Sequence, residues 1–362
     1  MSEKMNEDFL QSVADVLEAA RKNAKAAIDL SMVYAYFETG RLIVEEEQNG
    51  LQRAAYGKYL IPELSKYLTK RMGRGFSVTN LKQMRKFYQV YAADQIGQML
   101  SDQLSDLPTV STGRKFPLSW SHYLKLMRID NVDERHFYEI EATQNHWGVE
   151  ELKRQFDSAL YERLALSRNR DKTMELAEKG QIIEKPQDML KDPYILEFTG
   201  LQERAEYSET ELESRLLDHL QEFLLELGKG FAFIGRQVRF TFDERHFRVD
   251  LVFYNRLLQC FVLFDLKLGD LTHQDLGQMQ MYVNYYDRYE KTAEENPTVG
   301  VLLCQEKSDA LVELTLPEDS NIYASKYELY LPDKKLLQNK LKQWTQEESG
   351  NEVTEKMLRQ NS

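Results

Sequence analysis

Hydrophobic and polar positions change their rhythm along the chain near residue 200. Before it, apolar residues recur at three-to-four spacing among many Leu, Tyr, Met, Lys and Glu, which predicts helix almost throughout. Leu10, Val13, Leu17, Ala20, Ala24 and Ile28 trace one stripe of a helix over residues 9–46. A second helix carries Tyr59, Ile61, Leu64, Tyr67 and Leu68 and is expected to stop at Gly73 and Gly75. A third starts at Ser77 or Thr79 and carries Val78, Leu81, Met84, Phe87 and Tyr91. Residues 100–117, rich in Ser, Asp, Pro, Thr and Gly, read as a loop. Helices resume over 118–127, near 135–142 and over 149–166.

Residues 168–207 are polar and broken by Lys185-Pro186 and Asp192-Pro193, the composition of a linker, although Tyr194, Ile195, Leu196 and Phe198 are apolar enough to pack on a neighbouring domain. One amphipathic helix is expected over 209–227, closed by Gly228 and Gly230. Aromatic and β-branched runs then predict strands over 231–242, 248–254 and 260–268. A helix over 273–289, a strand over 299–305, a short helix and a strand over 322–331 complete the pattern. That order gives a mixed sheet with helices packed on it. The fold class expected is therefore α+β in two domains: an all-α, helix-turn-helix-like domain over 1–167 and an α/β domain over 208–345. Residues 168–207 form the linker and 346–362 a polar tail.

Composition narrows the function classes. The 362 residues are 42% hydrophobic and 29% charged, ordinary for a soluble globular chain. No apolar run is long enough to cross a membrane. The first residues, MSEKMNEDFLQ, lack an apolar signal core, so a cytoplasmic location is expected. Cys260 and Cys304 sit in apolar runs and read as small buried hydrophobes. A net charge of −12 argues against wholesale coating of nucleic acid but permits a local basic footprint. A phosphate-binding G-x-x-x-x-G-K-[ST] loop does not occur, and the six histidines lack metal-ligand spacing.

The chemistry is concentrated in RVDLVFYNRLLQCFVLFDLKLGD. Alternation places Phe261, Leu263, Asp265 and Lys267 on one face of a strand, and Cys260, Val262, Phe264 and Leu266 on the other. A carboxylate and an ammonium rarely enter an apolar strand without a partner. If the preceding strand folds back with its loop centred between Leu257 and Leu258, Asp250 faces Asp265. Like charges so placed repel. Either one carboxyl is protonated or a cation lies between them, and a hard divalent ion, Mg²⁺ or Mn²⁺, suits two carboxylates, a carbonyl and waters. Lys267 would then orient or deprotonate a water, or stabilise developing negative charge. A plain salt-bridged cluster at a sheet end is the competing reading.

Asp250, then Asp265-Leu266-Lys267 after a hairpin, behind a helix bearing a Glu, resembles the core of the PD-(D/E)XK nuclease superfamily. Gln278 and Tyr282 in GQMQMY resemble the Q-x-x-x-Y element of its RecB-like members, where the pair lies beside the metal. The segments FLLELGKGFAFIGRQVRF, DLVFYN, DLKLGD and VGVLLCQEK resemble the nuclease domain of the YhcG family. Gly75-Phe76-Ser77, Leu118 to Tyr123 and Tyr161-Glu162-Arg163 are similar to that family's N-terminal domain. The resemblance covers nearly the whole chain and departs at Asp265, where many relatives carry Glu. It implies a restriction-endonuclease-like C-terminal domain, with metal on Asp250, Asp265 and Glu213, water activation by Lys267, and orientation by Gln278 and Tyr282. Helical register supports these assignments. Glu213 continues the line of Leu216, Leu220 and Leu224, while Glu211 and Glu209 read as more solvated. Thr272 and Asp275 form a capping box, and Gln278 and Tyr282 share a face. Tyr282, Tyr285, Tyr286 and Tyr289 read as core and rim. Arg236 and Gln237 are placed to touch a phosphate or to close a strand-edge salt bridge.

From Pro62 to Val90 the basic residues Lys66, Lys70, Arg71, Arg74, Lys82, Arg85 and Lys86 face one acid, Glu63. They lie on two helices joined by GRGFS, the arrangement of a helix-turn-helix, with Ser77, Thr79, Asn80, Lys82, Gln83 and Lys86 able to meet a groove. DNA is the expected partner, with a second copy or the protein partners of a defence or recombination complex as further candidates. The competing function is a non-catalytic DNA-binding or adaptor protein that keeps the nuclease fold as a scaffold.

Overall fold

A computed structural model describes residues 7–49, 56–92, 115–166, 170–201, 207–317 and 319–343. The expected tail and most of the expected loop over 100–117 lie outside them. The chain divides into two compact units, Met1–Lys153 and Arg154–Ser362.

The first unit contains α1 (Glu7–Asn49), α2 (Tyr56–Met72), α3 (Val78–Ala92), α4 (Trp120–Leu126) and α5 (Val132–Gln144). Its core is aromatic: Phe87 lies 4.9 Å from Phe116, 5.0 Å from Tyr123 and 5.6 Å from Phe37, ring centre to ring centre. The stripe predicted along the start of α1 is not where the packing is. Leu10, Val13, Leu17 and Ile28 are exposed, whereas Val33, Phe37 and Ile43 are buried. The partners of α1 lie along its C-terminal half, where Ile43 meets Ile61, Leu81 and Met84. Periodicity names a helix face; it does not say whether a neighbour covers it.

A further helix, α6 (Val149–Asp157), runs across the boundary between the units. The single helix expected over 149–166 breaks at Ala159, whose φ is +53°, and resumes as α7 (Leu160–Leu166). The expected linker is largely structured and belongs to the second unit: α8 (Arg170–Lys179), α9 (Pro186–Met189) and β1 (Tyr194–Ile195) lie within it. Its polar composition conceals a buried ion network. Glu226 is fully buried and accepts from Arg163 Nη1 at 2.8 Å and from the Ile195 amide at 3.0 Å. Arg154 Nη2 lies 3.4 Å from the same carboxylate and its Nε pairs with Glu197 at 2.9 Å. Burial pushes the Glu226 carboxyl up, but Arg163, Lys191 and Arg154 outweigh it and hold the group down at about 2.

The rest of the second unit is α10 (Glu209–Asp218), α11 (Leu220–Leu227), β2 (Phe231–Phe242), β3 (Arg245–Asn255), β4 (Cys260–Leu266), α12 (His273–Tyr285), β5 (Val299–Cys304), α13 (Asp309–Thr315) and β6 (Ile322–Glu328). The helix expected over 209–227 bends at His219, and both halves keep their apolar stripes on one core: Leu212 and Leu216, then Phe223 and Leu227. The sheet order is β1-β6-β5-β4-β3-β2, antiparallel from β2 to β4 and parallel from β4 to β1.

The alternation read from β4 is realised. Cys260, Val262, Phe264 and Leu266 pack with α10 and α11 on one side. Leu263 packs with Leu276, Met279 and Val283 of α12 on the other, with Phe261 against the same layer. Gly300 on β5 allows α12 to come this close, since a Cβ there would stand 2.7 Å from Met279 Sδ. Burying apolar side chains on both faces is what fixes the strand register, because a one-residue slip would reverse every side chain. The result is an α+β fold whose mixed sheet lies between helices.

Candidate active site

The β3–β4 hairpin pairs Asn255 with Cys260 through Leu251 with Phe264, the register expected from a loop centred between Leu257 and Leu258. One step further, Asp250 stands opposite Asp265, and there the ladder ends. The Leu266 amide instead donates to Asp250 Oδ2 at 2.9 Å. On the other side of β3 the ladder also has a gap. Pairing passes from Arg236–Leu251 to Val238–Val249 and leaves Gln237 facing Asp250 unpaired. Gln237 has φ +47°, a left-handed conformation that costs a non-glycine residue roughly 1–3 kcal/mol and that clusters at functional sites.

That backbone twist aims the Gln237 side chain inward. Its Nε2 donates to Glu213 Oε2 at 2.5 Å and to Asp250 Oδ1 at 3.0 Å. Glu213, nearly buried on α10, is therefore joined to Asp250 through an amide. Burial raises the Glu213 carboxyl above the usual range, the Gln237 hydrogen bond opposes this, and the Asp250 charge adds to it. Arg236 is exposed and lies 3.9 Å from Glu213, so the strand-edge ion pair is present in loose form.

Asp265 is 2% exposed. Its Oδ2 lies 2.8 Å from Lys267 Nζ, yet without hydrogen-bond geometry to any group among the described residues. Burial first, and then the Asp250 charge, push its carboxyl up to about 7 against the pull of Lys267. For Lys267, burial acts downward, but the Asp265 carboxylate outweighs it and holds the ammonium above its ordinary value. Asp275 Oδ1 lies 3.9 Å from the same ammonium, and Glu209, read from sequence as more solvated, accepts from the Leu268 amide at 3.2 Å.

On α12 the capping box forms as expected. The Thr272 amide donates to Asp275 Oδ2 at 2.9 Å, and the Asp275 amide donates to Thr272 Oγ1 at 3.4 Å. Gln278 Nε2 donates to the Tyr282 hydroxyl. Burial, and then Asp265, push the Tyr282 phenol up to about 12, which places this pair beside the aspartates. The structure thus gathers Asp250, Asp265, Lys267, Gln278 and Tyr282. It does not gather the expected ligand triad: among the described residues no three His, Cys, Asp or Glu side chains come together as a metal-holding group. The Gln237 amide stands between Glu213 and Asp250 instead. Sequence reading named Gln237 but not this role, because nothing in the local sequence marks a left-handed Gln.

In the first unit, Lys66, Lys70, Arg71, Arg74, Ser77, Thr79, Lys82 and Lys86 are exposed or half-buried on α2, α3 and the turn between them. Ser77 caps α3, accepting from the Asn80 amide at 3.2 Å. Two candidates are engaged internally. Asn80 donates to the Gly75 carbonyl at 2.6 Å and accepts from the Trp120 indole at 3.1 Å, while Arg85 pairs with Glu47 at 2.7 Å. Gln83 is half-buried.

Among the described residues no helix is long and apolar enough to cross a membrane. Residues 187–342 match the family model described as the YhcG PDDEXK nuclease domain, and residues 12–163 match the DUF1016 N-terminal domain. The chain is 39% identical over 345 residues to a protein of Escherichia coli (strain K12) described as "Putative nuclease YhcG", covering 91% of this chain and 92% of that one. Among solved structures it is similar to a repair endonuclease from Pyrococcus abyssi, at 22% identity and TM-score 0.24, over 36% of this chain. It is also similar to EndoMS in a complex with double-stranded DNA, at 15% identity and TM-score 0.25, over 37% of this chain. The chain spans about half the length of each of those two. A 39% identity that runs through both halves, together with the two domain matches in order, decides the assignment: the chain belongs to the YhcG family, a DUF1016 N-terminal domain followed by a PDDEXK nuclease domain.

Proposed function

We propose that this chain is a divalent-metal-dependent nuclease that hydrolyses phosphodiester bonds in DNA, in recombination, repair or defence against mobile DNA. The observation that carries the reading is the Asp250–Asp265 pair, in which the Asp265 carboxyl is buried against the Asp250 charge with Lys267 Nζ 2.8 Å away. Two carboxylates forced together in a half-dry site suit a hard cation such as Mg²⁺ or Mn²⁺ better than they suit each other. Asp250 and Asp265 would hold the ion, with Glu213 able to join once the Gln237 amide moves aside. A bound ion would supply Lewis-acid polarisation of the phosphate and a lowered water pKa. Because metal ligands must be deprotonated, Asp265 would have to give up its proton for an ion to bind there.

Lys267 acts as a cation in this arrangement. Its raised pKa makes it a poor base, so its work is to orient the attacking water and to stabilise negative charge that develops on the phosphate. Gln278 and Tyr282, already hydrogen-bonded to each other, orient substrate or water from α12. Lys70, Arg71, Arg74, Lys82 and Lys86 supply phosphate contacts from the first unit.

One observation favours the competing reading of a non-catalytic DNA-binding or adaptor protein: the Gln237 amide links Glu213 to Asp250 without any cation. Titration of Mg²⁺ or Mn²⁺ into the wild type, Asp250→Ala and Lys267→Ala, each then incubated with linear, circular and branched DNA, separates the two. The nuclease reading requires metal binding and cutting by the wild type, loss of both in Asp250→Ala, and loss of cutting alone in Lys267→Ala. DNA binding with neither metal binding nor cutting would leave the scaffold reading. In the same assay, replacing Lys70, Lys82 and Lys86 by Ala should flatten the salt dependence of DNA binding, by roughly 0.9 in log–log slope for each phosphate that is no longer neutralised.

A further inference from the structure

Helix α12 turns a second face outward, away from the sheet. Between it and the distal part of β2 lies a cleft of about 350 Å³, lined among others by Phe242, Gly277, Tyr285, Arg288 and Tyr289. Phe242 and Tyr289 are 56% and 63% exposed, so two large rings stand in solvent on opposite walls. Single exposed aromatics are ordinary, but Tyr289 belongs to a connected set of rings. Phe240 lies flat on Tyr285, with ring centres 4.0 Å apart and planes 20° from parallel, and Tyr285 contacts Tyr289 at 5.2 Å. The Tyr285 hydroxyl is further held by Glu290. The platform is thus fixed from behind and open in front.

The same stack reaches the active site. Phe240 meets Tyr282 edge-on at 5.6 Å, and Tyr282 is the partner of Gln278 beside Asp265. One ring therefore separates the aspartate cluster from the cleft. A π-helical turn over Tyr286–Glu290 ends α12 and delivers Arg288 and Tyr289 to the rim; such turns recur at functional sites. Gly277 contributes no side chain, and a Cβ there would meet nothing within 4 Å. Gln280 and Asn284 add amide side chains to the lining of the cleft.

Charge adds a partner for phosphate, since Arg288 lines the cleft and is exposed. Rings for stacking, amides for a base edge and an arginine for phosphate are the elements of a single-strand binding site.

We infer that this cleft holds an unstacked nucleobase of the strand whose phosphodiester lies at the aspartate cluster, so that the enzyme acts on nucleic acid with unpaired bases next to the scissile bond. The inference rests on the nuclease reading above and adds the substrate class. The experiment measures binding by the full chain, without added metal, of single-stranded DNA and RNA oligonucleotides and of a blunt DNA duplex. Each single strand carries 2-aminopurine, whose fluorescence falls when it stacks on an aromatic ring. The variants are Tyr289→Ala, Phe242→Ala and Gly277→Leu. The last fills the cleft while replacing a mid-helix glycine with a better helix former, so a weaker fold cannot explain a loss.

Wild type should quench the probe and bind single strands in preference to duplex. Each variant should bind single strands about 5- to 150-fold more weakly, the range that removal of one base–aromatic stack implies, with duplex binding changed less than about twofold. Unchanged single-strand binding in Gly277→Leu and Tyr289→Ala, by a wild type that does bind nucleic acid, would overturn the inference and leave the nuclease reading standing. A wild type that binds no nucleic acid at all would sink both. A change of oligomeric state in the variants with no change in single-strand binding would show that a second copy covers the cleft, and would also overturn it.

Discussion

Replacing Asp265 by Asn should make the metal-free protein more stable while abolishing the nuclease activity proposed for it. Asp265 is 2% exposed, faces Asp250, and has its carboxyl pushed up to about 7 from an ordinary value of 3.8. The unfolded chain gives up this proton first. Wild-type stability must therefore fall as pH rises from about 3.8 to about 7, and stay level above that. At 1.36 kcal/mol per pH unit the loss is about 4 kcal/mol at pH 8. Asn reproduces the protonated carboxyl in size and neutrality, so Asp265→Asn should recover most of it. For a unit of this size that is a rise in Tm of about 8–16 °C. Thermal and urea unfolding of both proteins in chelator, at pH 8 and pH 3.5, checks the sign: the variant leads at pH 8 and the gap closes at pH 3.5. Added Mg²⁺ or Mn²⁺ should then stabilise the wild type more than the variant, because a ligand of the folded state alone raises its stability by mass action. An Asp265→Asn protein that is no more stable than wild type at pH 8 would refute the claim that burial and Asp250 strain this carboxylate.

The opposite behaviour is expected at the buried network around Glu226. Glu226→Gln leaves Arg163, whose side chain is 1% exposed, facing an uncharged partner, and should cost about 3–5 kcal/mol at pH 7 in urea unfolding. With the Glu226 carboxyl held at about 2 against 4.5 unfolded, the wild-type advantage is full above pH 4.5 and should shrink by about 3 kcal/mol as pH falls to 2. In the first unit, a Cβ at Gly40 on α1 would stand 2.1 Å from the Met84 carbonyl oxygen on α3. Gly40→Ala should therefore destabilise by about 1–3 kcal/mol despite its better helix propensity, and a melt showing no loss would mean that the two helices are not in direct backbone contact.

What could be read from the sequence and what could not divide by how far apart in the chain the deciding partners lie. Asp250 and Asp265 are joined by one hairpin, so alternation and the position of the turn suffice to set them face to face, and the strand register has this arrangement. Thr272 with Asp275 and Gln278 with Tyr282 are three and four residues apart and are legible for the same reason. Glu226 and Arg163 are 63 residues apart, and composition reads the polar stretch between them as a solvated linker. In the folded chain, the stretch holds a strand of the sheet and closes over a buried carboxylate. The stripe on α1 errs the other way: its apolar residues imply a cover that the described partners do not provide there. Gln237 is the most consequential case. Its side chain reaches Glu213 and Asp250 only because the backbone takes a left-handed conformation in the middle of a strand, a strain that the surrounding packing must hold in place. Strand propensity predicts the opposite for every residue of β2. The residue that links Glu213 to Asp250 is therefore the one at which local preference and tertiary structure disagree, as is common where a fold has been bent to serve a site.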